Sequence, residues 1–245
     1  MDHDQRFKSL LREHFADFIH LFFADWAERM DLTSIEWLDK EVFADPPEGS
    51  RHVLDLIARL SMSIPSENDE DESATPTMIL IHIEIESPDR TTSIKSRLPY
   101  YYHHLRDQYQ SPVLPVVLYL KVGLDGVGVD SHIERLWNLE VNRFQYLYVG
   151  LPALNAIEYL QGESWLGVAL SALMRIPSDR VAWLGAEALR RLAGAPLSEQ
   201  QRFLLLDCVQ AYLPTTEQEK QELEQLLQSE ESVEGEGMKK TAYDE

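Results

Sequence analysis

Residues 78–86, MILIHIEIE, alternate without a break: Ile79, Ile81, Ile83 and Ile85 are each separated by one residue of another kind. Side chains on a strand point to opposite faces in turn, whereas a helix would scatter the same four isoleucines around its circumference. The segment therefore predicts a β-strand with one buried face. Met78, Leu80, His82, Glu84 and Glu86 share the other face.

The neighbouring segments fit an α/β arrangement around that strand. Residues 4–29 carry Phe7, Leu10, Leu11, Phe15, Phe18, Ile19, Phe22 and Phe23 at three- and four-residue spacing, which predicts an amphipathic helix. Strands are expected over 34–43 and 51–62, with the turn DPPEG between them. The acidic stretch 64–77 is expected as a loop. A Tyr-rich helix follows over 93–109, with Pro99 near its first turn or at a kink. The continuous apolar run 113–122 predicts a strand buried on both faces, Gly123 to Gly128 a loop, and 141–149 a further strand. From Pro152 the spacing turns helical, over 154–173, 179–192, 198–212 and 217–227, with Ser178, Ser198 and Thr216 as N-cap residues. From 229 onward the chain is rich in Glu and poor in apolar residues, and is expected to be disordered. The expected organisation is thus a domain over 1–150, a helical region over 151–228 and an acidic tail over 229–245.

Composition narrows the function classes. A single cysteine, Cys208, allows no intrachain disulfide and no cysteine cluster for zinc. Within FLLLDCVQAYL it reads as a small buried hydrophobe. No apolar run reaches the length of a membrane span and no secretory signal opens the sequence, so a cytoplasmic protein is expected. The net charge of −20 opposes the approach of a nucleic acid at long range. The charge is uneven, however. Residues 67–72 hold five carboxylates and no base, and the stretch from Pro214 to the end holds ten against three lysines.

Glu84 and Glu86 point the same way from one strand, roughly 7 Å apart at the Cα level. Asp55 lies on the preceding strand, and pairing of the two strands would bring it close to Glu84. Carboxylates on adjoining strands, with water completing the shell, are a common way to hold Mg²⁺. A bound Mg²⁺ generates a nucleophilic hydroxide and offsets charge on a phosphate oxygen. The plainer reading is that Glu-Ile-Glu forms the solvent face of an amphipathic strand. Asp55, set among Val, Leu and Ile, is harder to explain that way.

The segments DHDQRFKSLLREHF, EWLDKEVF, HVLDLIARL, ILIHIEIES and PVLPVVLYLKVG occur in this order. Together they resemble the family of recombination-promoting nucleases and transposase-like proteins, within the PD-(D/E)XK nuclease superfamily, over about residues 2–150. The resemblance implies a restriction-endonuclease-like core (helix, three strands, helix, strand) and metal-dependent endonuclease activity on DNA with Mg²⁺ or Mn²⁺. It maps Asp55 and Glu84 onto the metal-binding acids. It departs at the third position, where the superfamily often has Lys and this family commonly has Gln; here the residue is Glu86. An ionised Glu cannot donate as Lys does, so Glu86 is either a further ligand or base, or the mark of an inactive relative serving as a protein-interaction or regulatory module. Arg97 and Lys40 are candidate contacts to a substrate phosphate, each with a surface ion pair as the alternative. The expected partner is DNA, with a homodimer left open and no membrane.

Overall fold

The computed structural model describes residues 3–38, 42–44, 51–53, 55–64, 75–86 and 94–228. The chain divides into two units, Met1–Leu154 and Asn155–Glu245. Of the acidic loop expected over 64–77, residues 65–74 lie outside the described residues, while Ile64 and 75–77 belong to strands; the tail from 229, Lys40 and Glu41 also lie outside the described residues.

The first unit opens with three helices, α1 (His3–Glu13), α2 (Phe15–Phe22) and α3 (Ala24–Ala27). The single helix expected over 4–29 is interrupted at His14 and Phe23, whose backbones leave helical geometry. The apolar spacing runs through both breaks, so periodicity alone did not reveal them. Phe7, Leu10, Leu11, Phe15, Phe18 and Ile19 are buried as expected.

The strands are β1 (Glu36–Trp37), β2 (Val42–Ala44), β3 (Arg51–Val53), β4 (Leu56–Ile64), β5 (Thr75–Glu86), β6 (Val113–Tyr119), β7 (Gly126–Leu136) and β8 (Leu139–Gly150), with helix α4 (Ile94–Tyr109) between β5 and β6. Six of them form a mixed sheet in the order β1-β4-β5-β6-β8-β7, and β2 pairs with β3 in a two-stranded sheet. β4 and β5 are antiparallel, while β5, β6 and β8 run parallel. Three expectations need correction. The strand expected over 34–43 is two short strands, β1 and β2, in different sheets. The strand expected over 51–62 is likewise divided between β3 and β4. The loop expected up to Gly128 is already strand from Gly126, and β7 is a full sheet member whose polar residues hide its alternation.

β5 is buried on both faces. Ile79, Ile81, Ile83 and Ile85 line one, and Leu80, His82, Glu84 and Glu86 the other, while Met78 is exposed. α4 explains the second face. Ile94, Leu98, Tyr101 and Leu105 recur at helical spacing and pack with Ile57, Leu80, Val117 and Tyr146 in one apolar cluster.

The second unit is helical: α5 (Ala156–Gln161), α6 (Trp165–Leu170), α7 (Val181–Ala193), α8 (Glu199–Tyr212) and a further helix over 217–228. Asn155, Ser164 and Ser198 cap their helices through side-chain oxygens, Ser198 in a full capping box. Thr216 and Glu219 make the same reciprocal pair. Ser178 does not cap: α7 starts after Arg180 with no side-chain cap. Cys208 is buried, and burial pushes its thiol pKa up. Among the described residues no helix is long and apolar enough to cross a membrane.

Candidate functional site: a buried carboxylate cluster

Asp55 immediately precedes β4. Leu56 stands opposite Ile83 in the β4–β5 register, and one further step sets Asp55 opposite Glu84. Their groups cross the gap. The Ile85 N–H donates to Asp55 Oδ2 at 2.8 Å, and the Asp55 N–H donates to Glu84 Oε1 at 3.3 Å. The sheet thus brings together Asp55 and Glu84, which lie 29 residues apart in sequence.

Neither acid is on a solvent face. Asp55 is 2% exposed, Glu84 0% and Glu86 8%. Ionised carboxylates are taken out of water only at a large cost unless they are paired. Each pairing here comes from a different element. Lys8, on α1, places Nζ 2.7 Å from Asp55 Oδ1 and is itself buried. Arg97, in the first turn of α4, places one terminal nitrogen 2.5 Å from Glu86 Oε1 and the other 3.7 Å from Glu84 Oε2. His82 Nε2 lies 2.9 Å from Glu84 Oε1, an orientation that suits Nε2–H donating to the carboxylate. The Tyr101 ring meets the His82 ring edge to face, with centroids 5.7 Å apart, and so fixes the imidazole.

The helices deliver these cations for local reasons. Lys8, Leu11 and Phe15 are separated by three and four residues, so α1 directs Lys8 along the stripe that packs inward. Arg97 lies four residues before Tyr101 and receives its support: one guanidinium nitrogen is 3.5 Å from the Tyr101 hydroxyl. Burial works against the Arg97 charge, but Glu86 and Tyr101 outweigh it and hold its pKa above the ordinary value. The buried Arg97 Nε has no hydrogen-bond partner among the described residues, and neither has His82 Nδ1.

A second polar group flanks the first. Tyr119 on β6 stands opposite Glu86 in the sheet. The Tyr146 hydroxyl donates to Asp130 Oδ2 at 2.6 Å, and Lys95 Nζ lies 2.7 Å from the same oxygen. Burial raises the pKa of both tyrosines. For Asp130 burial acts upward too, but Lys95 and Tyr146 outweigh it and hold the carboxyl below its usual range.

The donor chemistry suits a hard divalent cation. All three acids offer oxygen only, and Mg²⁺ is commonly held by one or two carboxylates with water and substrate phosphate. Asp55 and Glu84 are such a pair. Among the described residues no three metal-ligating side chains converge closely enough to hold an ion by themselves. Instead the carboxylates are engaged by Lys8, Arg97 and His82.

Of the residues singled out from sequence, the structure brings together Asp55, Glu84, Glu86 and Arg97. Arg97 contacts carboxylates rather than standing free at the surface. Lys40 lies outside the described residues. Sequence reasoning missed Lys8. Its signal was a lysine within the apolar stripe of the first helix, where an ammonium needs a partner. The chain matches no family model, no curated protein and no solved structure.

Proposed function

We propose that this protein is a metal-dependent endonuclease that hydrolyses phosphodiester bonds in DNA. The observation that carries the reading is the buried juxtaposition of Asp55, just ahead of β4 rather than on a strand as expected, with Glu84 on β5, and Lys8 at 2.7 Å from Asp55. Asp55 and Glu84 would hold Mg²⁺ or Mn²⁺, which when bound supplies an activated water and offsets charge on the phosphate. Glu86 keeps Arg97 at the mouth of the pair. Arg97 has a free Nε and a planar fork suited to a phosphate oxygen. Lys8 supplies from α1 the ammonium that β5 lacks at Glu86. It can orient water or stabilise charge at the reacting phosphate, the task an ionised Glu86 cannot perform. A link to recombination or mobile elements is part of the same proposal and rests on the sequence resemblance alone.

A second reading, from a different class, is an inactive relative that serves as a protein-interaction or regulatory module. It is favoured by the engagement of the carboxylates with internal cations and by the net charge of −20. Plasmid cleavage with Mg²⁺, with Mn²⁺ and with chelator, beside Asp55→Ala and Lys8→Met, separates the two. Metal-dependent nicking lost in both variants supports the nuclease. Absence of cleavage together with absence of Mn²⁺ binding by calorimetry leaves the second reading.

A further inference from the structure

The β7–β8 hairpin carries a surface that the carboxylate cluster does not use. β7 is an 11-residue edge strand without proline, and among the described residues no backbone hydrogen bond reaches its outer side. Soluble proteins usually blunt such an edge with proline, short length, charge or a β-bulge; here one register irregularity falls between Glu134 and Arg135, and Gly126–Glu134 pair regularly. Here the hairpin exposes Val129, Leu136, Trp137 and Leu139, and Trp137 at its tip is 100% exposed. Beside β7 lies a groove of about 350 Å³, lined by Phe22, Phe23, Trp26, Val127, Val129 and Leu147 among others.

We infer that this edge pairs with the same edge of a second copy of the chain. Antiparallel β7–β7 pairing would make one continuous sheet with a two-fold axis. Two arguments select a second copy as the occupant. The first is charge. The chain carries −20, yet 126–150 hold three carboxylates, two guanidiniums and one imidazole, so two copies approach here with little repulsion.

The second argument is self-complementarity. Two-fold pairing requires that opposed residues share a face, which leaves only registers centred on a residue. Centring on His132 sets Asp130 against Glu134, which is repulsive. Centring on Ile133 sets His132 against Glu134 twice, Ser131 against Arg135 twice, and Ile133 against itself. It also brings the hairpin tip of each copy, with Trp137, towards the Val129 end of the other. A one-residue slip would send each strand's apolar positions to the wrong face, so the choice of register is sharp.

Sedimentation at micromolar concentration tests the pairing, with Trp137→Asp as the disrupting variant. That side chain has no contact to lose in the monomer, so the fold is kept. Ile133→Cys under mild oxidation tests the register, because opposed residues lie within disulfide reach and the chain's other thiol, Cys208, is buried in another unit. A dimer is expected for the parent, weakened at least about tenfold by Trp137→Asp, because a large exposed aromatic would lose its cover in the pair. A reducible covalent dimer is expected for Ile133→Cys. A monomeric parent overturns the inference. So does a dimer that is indifferent to Trp137→Asp and yields no Ile133→Cys cross-link, which would place the interface elsewhere.

Discussion

Replacing Lys8 by Met tests whether the buried ion pair is real and how much the fold depends on it. The change keeps the length of the side chain and removes only the ammonium. Asp55 then holds its charge at 2% exposure without the cation now 2.7 Å from Oδ1. At that separation and an effective dielectric near 20 the lost attraction is about 6 kcal/mol. Part of this is offset because the ammonium no longer has to leave water. Breaking one partner of a buried pair typically costs about 3–5 kcal/mol. For a chain of this size that lowers the melting temperature by roughly 6–20 °C. Adding Asp55→Asn removes the charge that Lys8 faced while keeping an oxygen to accept from the Ile85 N–H, so the double variant should recover much of the loss. Urea unfolding of the parent, both single variants and the double variant gives a coupling energy, expected above about 1.5 kcal/mol. Lys8→Met within about 1 kcal/mol of the parent, with no coupling, would refute the reasoning: the ammonium would then not be held where Asp55 needs it.

Acid and alkaline unfolding should both report on the Lys95–Asp130–Tyr146 contact. The depressed Asp130 pKa contributes stability that is present above about pH 4 and is lost as pH falls through the folded value, so Asp130→Asn should flatten the acid limb of the urea midpoint. The raised Tyr146 pKa contributes stability that is complete below about pH 10 and declines above it, so Tyr146→Phe should flatten the alkaline limb. Gly150→Ala should destabilise by about 3 kcal/mol in urea unfolding, because its Cβ would fall 1.7 Å from the Leu124 carbonyl oxygen, a backbone atom that cannot turn aside. Ser198→Ala should cost about 1 kcal/mol by loss of the α8 capping box, read as faster amide exchange at Gln201.

The strands and the acids were legible because their signals are local. β5 announces itself in four isoleucines, and Glu84 and Glu86 follow from the same alternation. Asp55 was legible as a charge among aliphatic residues, and its approach to Glu84 followed from pairing β4 with β5. The burial of the second face of β5 was not legible. The same alternation describes a strand with a wet face and a strand covered by a helix, and only the packing of Ile94, Leu98, Tyr101 and Leu105 decides between them. β7 was hidden for a related reason. Its residues alternate between small or apolar and charged without a clean face, and its two glycines read as a turn. The helix breaks at His14 and Phe23 left no mark because the apolar stripe continues across both.

Lys8 shows why the site was harder to read than the sheet. At superfamily level the resemblance implies an amine at the position that Glu86 occupies on β5. The ammonium that meets Asp55 comes from a helix 47 residues ahead of it, a distance over which no spacing rule operates. Once Lys8 and Arg97 are included, the cluster is poorly explained as a device for stability. A buried ion-pair group is usually matched or bettered by aliphatic side chains of the same volume. The same unit packs such residues in one apolar cluster, among them Ile57, Leu80 and Leu98. The carboxylate cluster also keeps a spare donor, Arg97 Nε, without a partner among the described residues. An unpartnered guanidinium nitrogen set beside closely spaced carboxylates is a poor fit to a core built for stability alone, because a buried donor left unused costs its desolvation and returns nothing. That feature favours a polar site over a core that merely tolerates its own charges.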